Sequence, residues 1–180
     1  EMKCKKCDAG SYSTAQGAKS NSTCIKCEPG KKGTKEGATS SEVCEECDLG
    51  RYRSSKDLDT TTCLECPIGQ HQYRTGEASC LSCAPGKTQH LTGQALCNDC
   101  TIGRFEPDIK ATKPECAKCW RGCWQNETAK SKCEWCPPGR YGDMMGLMNE
   151  MMCKKCEAGS YSTAQGAKTD STCIKCEPGK

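Results

Sequence analysis

The sequence predicts a small disulfide-rich fold of short β-hairpins and loops, with little helix, strung as an elongated rod of tandem cysteine-rich repeats. Three observations predict it. Cysteine occupies 21 of 180 positions, and twenty of those cysteines fall into Cys-x-x-Cys doublets spread over the whole length. Hydrophobic residues reach only 34 % with the cysteines counted among them, and aromatic residues only 5 %. A chain of this composition cannot offset its conformational entropy by burying a conventional core. Covalent or metal cross-links must replace that core. A regular series of such cross-links gives a quasi-one-dimensional architecture in which each repeat meets mainly its neighbours.

The pattern is set by Cys4-Lys-Lys-Cys7-Asp-Ala-Gly10-Ser-Tyr12, running on to Cys24-Ile-Lys-Cys27-Glu-Pro-Gly30. Further doublets follow at Cys44/Cys47, Cys63/Cys66, Cys80/Cys83, Cys97/Cys100, Cys116/Cys119, Cys133/Cys136, Cys153/Cys156 and Cys173/Cys176. Between 13 and 16 residues separate each from the next. Glycine stands three positions after the second cysteine every time, from Gly10 to Gly179, which points to a turn at positive φ or a close backbone approach. Two positions later comes an aromatic slot filled by Tyr12, Tyr52, Phe105, Trp124, Tyr141 and Tyr161, relaxed to Lys32, His71 and Thr88. These aromatics are expected against the cysteines, giving each repeat a miniature core. A second glycine often closes the polar run, as at Gly17, Gly37, Gly76, Gly93 and Gly166. Such segments suit irregular hairpins. The one segment expected to form a helical turn is 143–152.

A longer period overlies the short one. Residues 1–31 and 150–180 agree at 27 of 31 positions, differing at Lys3/Met152, Asp8/Glu157, Ser20/Thr169 and Asn21/Asp170. We read 1–149 as one long repeat of eight doublets and 150–180 as the start of the next, within a longer protein.

Charge excludes one class of partner. The net +3 comes from 26 basic and 23 acidic side chains scattered through one another, whereas nucleic-acid binding needs a basic face. No apolar run is long enough to cross a bilayer, so membrane contact is expected only through parts outside this stretch. Two doublets 13 to 16 residues apart also resemble a zinc ribbon. However, the position after the second cysteine, where zinc knuckles place glycine, holds Asp8, Glu28, Asp48, Pro67, Ala84, Thr101, Trp120, Pro137, Glu157 and Glu177. Covalent haem would need histidine there. His71 and His90 lie outside the doublets and read as surface residues, so no metal or cofactor is expected.

The Cys-x-x-Cys-x-x-Gly-x-Tyr block and the doublet that follows it resemble the ephrin-receptor-like cysteine-rich repeat. More distantly they are similar to the smallest module of tumour-necrosis-factor-receptor cysteine-rich regions. The resemblance implies that a doublet's second cysteine pairs with the first of the next doublet. That gives Cys7–Cys24, Cys27–Cys44, Cys47–Cys63, Cys66–Cys80, Cys83–Cys97, Cys100–Cys116, Cys119–Cys133, Cys136–Cys153 and Cys156–Cys173, with Cys4 and Cys176 bonded elsewhere. Paired doublets, Cys4–Cys24 with Cys7–Cys27 and so on, are the other connectivity open to the sequence. Either way each loop closure constrains the unfolded chain by roughly 3 kcal/mol. Disulfides in this number imply an extracellular or cell-surface setting. The sequons at Asn21 and Asn126 agree with it as glycosylation candidates.

Nothing in the sequence looks catalytic, and no small-molecule substrate is implied. Recurrence of a whole eight-doublet block suits a structural protein, a filament, cell-surface appendage or matrix fibre, whose partners are copies of itself or other fibre proteins. The alternative is the ectodomain of a receptor or adhesion protein. Five of the six methionines cluster at Met144, Met145, Met148, Met151 and Met152. Met144, Met145 and Met148 are the interface candidates, and local packing is the plainer use of such a cluster. Cys123 is the one cysteine outside a doublet. Its slot elsewhere holds Ser11, Arg51, Gln70, Lys87, Arg104 or Arg140, so Cys123 is expected to point outward as an interchain disulfide candidate, with a buried free thiol between Trp120 and Trp124, or a local bond to Cys119 or Cys133, as the alternatives. Reduction should unfold the chain and a chelator should leave it folded; circular dichroism after each treatment checks this, and the opposite result restores zinc.

Overall fold

In the computed structural model, which describes residues 5–16 and 20–179 and only the backbone at Asn21, each loop between doublets folds as its own two-stranded antiparallel ribbon. Cys4 and Gly17 lie outside the described residues. The first strand is the pair of residues after the slot glycine, and the second is the x-x pair inside the following doublet. Ser11–Tyr12 thus pairs with Ile25–Lys26, Lys31–Lys32 with Glu45–Glu46, Arg51–Tyr52 with Leu64–Glu65, and Gln70–His71 with Leu81–Ser82. Lys87–Thr88 pairs with Asn98–Asp99, Arg104–Phe105 with Ala117–Lys118, and Cys123–Trp124 with Glu134–Trp135. Arg140–Tyr141 with Lys154–Lys155 and Ser160–Tyr161 with Ile174–Lys175 complete the series.

Strands of two residues hold because both ends are tied. The backbone N–H of a doublet's second cysteine donates to the preceding slot glycine, as Cys27 does to Gly10 at 2.9 Å and Cys136 to Gly122 at 2.8 Å. Each slot glycine has positive φ. At Gly122 the requirement is double: φ is +84°, and a Cβ would run into the backbone carbonyl of Gly166.

Loop length decides what precedes the closing cysteine. Where bonded cysteines are 17 apart, the extra residues wind into a 3-10 turn, at Asn21–Thr23, Ser41–Val43, Glu150–Met152 and Asp170–Thr172. Asn149 caps the third by accepting the Met152 N–H at 3.1 Å. The helical turn expected in 143–152 is therefore one of four, narrowed to its last three residues. The other three lie in polar runs read as irregular. Ser40 and Thr169 stand at the start of two of them without a side-chain capping bond, so loop length is their common feature.

The chain divides into two compact bodies, Glu1–Ser82 with Leu91–Cys97 and Cys83–His90 with Asn98–Lys180. Inside each, loops dock on earlier doublets through one recurring backbone bond. In the first body Gly37, Gly76 and Gly93 donate to the carbonyls of Cys7, Cys47 and Cys66 at 2.8, 2.9 and 2.8 Å. In the second, Lys110, Ala129, Gly146 and Gly166 do the same to Cys83, Cys100, Cys119 and Cys136. The residue after the docking position forms a parallel bridge with an aromatic-slot residue, as Ala38 does with Tyr12 and Leu147 with Trp124.

Packing corrects the miniature core expected for each repeat. Phe105 packs with Cys119, Cys123 and Cys133, and Trp124 with Cys136, Cys153 and Leu147. Each of these rings covers the disulfide of the following loop, so the apolar contact is shared between neighbouring repeats.

At Cys27 the carbonyl takes its docking bond from a side chain, that of Arg53, instead of a backbone N–H. This side chain is 2 % exposed and donates from Nη2 to Cys27 O at 2.6 Å, with further bonds to the carbonyls of Glu28 and Lys31. Arg53→Ala would remove three guanidinium bonds to carbonyls, leaving Glu28 O only its bond from the Lys31 N–H, for an expected loss of about 3 kcal/mol in chemical denaturation. Arg53→Lys should recover only part of it, since an ammonium lacks the planar fork.

Candidate functional site

The sulfur network is the most extensive constellation in the molecule. Cys7–Cys24, Cys27–Cys44, Cys47–Cys63 and Cys66–Cys80 are bonded, as are Cys100–Cys116, Cys119–Cys133, Cys136–Cys153 and Cys156–Cys173. Cys83 and Cys97 are disulfide-bonded as well. Second cysteines are joined forward, so paired doublets are not formed. A zinc ribbon takes two thiolates from one doublet, and here a doublet's sulfurs enter different disulfides.

His71 is half-buried, not the surface residue expected, with Nδ1 3.1 Å from the Sγ of Cys97 and its ring stacked near Tyr73. His90 is exposed.

Cys123 corrects a more consequential expectation. It does not point outward: it is 1 % exposed and packs with Phe105 and Cys119. The strand pair around it turns the slot inward, and the thiol fills space that a longer side chain at this slot would take to the surface. Burial pushes its pKa up, with Lys168 opposing more weakly. A protonated, covered thiol is a poor partner for another chain's cysteine. Cys176 is exposed and has no disulfide partner among the described residues.

The methionine segment divides. Leu147, 1 % exposed, is its buried anchor against Trp124 and the Cys136–Cys153 bond. Met144, Met145 and Met148 lie outside at 52, 56 and 47 % exposure. Asn126 and Thr128 of the second sequon are exposed on the bend after Trp124, and the side chain of Asn21 is not among those described.

One polar position escaped the sequence reading. The residue after the aromatic slot is buried at Arg53, Gln72, Gln89, Glu106 and Gln125. Gln72 accepts the Arg74 N–H at 3.1 Å and donates to Ser79 O at 2.8 Å; Gln125 does the same with Glu127 and Lys132 at 3.0 and 2.8 Å. Each amide holds its own loop closed. The signal was there in the alignment of the repeats, as a column of long polar residues beside the aromatics.

Residues 55–93 match the family model described as tyrosine-protein kinase ephrin type A/B receptor-like. No curated protein matches the chain. Repeats of this kind, together with the disulfides, mark an extracellular or cell-surface domain. No helix among the described residues is long and apolar enough to cross a membrane. Alkylation of the native chain followed by peptide mass spectrometry should label Cys176 at least about tenfold faster than Cys123, with the difference vanishing in denaturant.

Proposed function

Taking the chain as a tandem array of ephrin-receptor-like cysteine-rich repeats, we propose that it is a non-catalytic structural protein of the cell exterior, built into a filament, surface appendage or matrix fibre. The observation that carries this reading is the long period: 27 of 31 positions agree between 1–31 and 150–180. A lattice needs the same contact at every step, and near-identical blocks supply it. A receptor needs one distinctive face, which selection for block identity does not favour.

Copies of the same chain, or other fibre proteins, are the partners in this reading. Cys123, being buried, is not its cross-link. The exposed Met144, Met145 and Met148 make the better lateral contact, a group of adaptable apolar side chains recurring once per long repeat. A glycan on Asn126 would keep its own face free of such contacts.

The test uses a chain of several 149-residue blocks, followed by sedimentation velocity and negative-stain microscopy. Lateral association is expected, and replacing Met144, Met145 and Met148 by serine in every block should weaken it by about tenfold or more, from the apolar area involved. Particles that stay unassociated at every concentration would overturn the fibre reading in favour of a receptor or adhesion ectodomain.

A further inference from the structure

One loop of the second body departs from its siblings in three ways at once. It holds glutamate where Gln72 and Gln125 stand in theirs. It is longer, with bonded cysteines 16 apart at Cys100–Cys116 against 14 at Cys66–Cys80 and Cys119–Cys133. It also borders an open depression of about 430 Å³, lined by Glu106, Asp108, Lys110, Thr112 and Lys113 with Ile109 and Ala111.

Glu106 repeats only half of what the glutamines do. Its Oε1 accepts the Asp108 N–H at 3.2 Å, as Gln72 and Gln125 accept from residues two positions on. A carboxylate has no hydrogen to return to the loop. Its Oε2 is left with no hydrogen-bond partner in a side chain 1 % exposed. Such an oxygen is costly unless something positive satisfies it. Neither Lys110 nor Lys113 does so: both are exposed, and no ion pair joins either to Glu106.

The loop cannot easily collapse onto the orphan oxygen. Glu106 N–H donates to Lys130 O at 3.2 Å, Lys110 at φ 65° donates to Cys83 O at 2.8 Å, and Ala111 O accepts from Gln89 N–H at 3.0 Å. Thr88 Oγ1 donates to Lys113 O. These bonds hold the loop backbone in place around Glu106.

We propose that the 106–113 loop is a binding site for a hard divalent cation, calcium, held by the carboxylates of Glu106 and Asp108 with the Thr112 hydroxyl and loop carbonyls. The donors are all oxygen, which disfavours zinc and copper. Calcium tolerates an irregular shell, whereas magnesium demands a near-octahedral one. Two carboxylates beside two exposed lysines make a weak site, with Kd roughly 10⁻⁴–10⁻³ M, the range of extracellular modules. Chelation empties the loop without unfolding the chain, because disulfides close the repeats independently.

Isothermal titration of the oxidised chain with calcium, with competition against terbium followed by luminescence, tests the site. One saturable site in the stated range is expected. Glu106→Gln introduces the amide that closes the loops at Gln72 and Gln125, so this variant should fold with its disulfides intact, checked by mass spectrometry, while calcium binding falls at least about tenfold. Asp108→Asn should weaken binding by less. No binding to the wild-type chain at calcium well above the millimolar range, or an unchanged Kd in Glu106→Gln, overturns the proposal.

Discussion

A doublet's two cysteines face opposite ways along the chain: the first closes the loop behind, and the second opens the loop ahead. In Cys24-Ile-Lys-Cys27, Cys24 is bonded to Cys7 and Cys27 to Cys44. The two residues between them are thereby pulled straight and become a strand, with the pair after Gly10 as their partner. Length, hairpin register and turn position follow from that connection. Closing each loop removes entropy from the unfolded chain, which is the role a hydrophobic core plays in domains with more apolar residues.

Secondary contacts are subordinate to this linkage and mostly backbone. The docking N–H to a cysteine carbonyl comes from a residue at positive φ, which is why glycine fills most of these positions, and Lys110 and Ala129 adopt the same backbone without being glycine. Where no such residue stands, a guanidinium does, in Arg53. Aromatic rings then cover the next disulfide, so that Phe105 and Trp124 tie neighbours together. On the proposed reading, an array of long blocks would present the same local surface once per block. That regularity underlies the structural reading of its function.

Individuality sits in a few residues of the long period. Cys123 is an apolar filler beneath Phe105. Glu106 breaks the amide pattern of its column. Leu147 is drawn inward and leaves Met144, Met145 and Met148 in solvent. Each departs from a pattern that the other repeats define, and each is therefore where function beyond mere extension is to be sought.

Much of the fold was legible because cysteine and glycine act locally. Doublet spacing marked the loops, the glycine three residues on marked a positive-φ turn, and scarcity of apolar residues ruled out a conventional core. These are properties of single positions and short separations. The 3-10 turns were less legible, since they follow from loop length in polar runs and only one of them has a side-chain cap, Asn149. The pairing of sulfurs came into view through a family likeness, and the structure supplies its geometry. Orientation was decided only in three dimensions. Sequence neighbours made the Cys123 slot look like a surface position, yet the ring of Phe105 and the sulfurs of Cys119 and Cys133 create an apolar pocket that takes a small thiol and excludes water. Likewise Glu106 looked like one more acidic residue until burial removed its solvent and the loop left one of its oxygens without a partner. Covalent constraint and turn chemistry act within a loop and can be read along the chain. Burial depends on which neighbour folds over a side chain, and that is fixed only when the repeats pack.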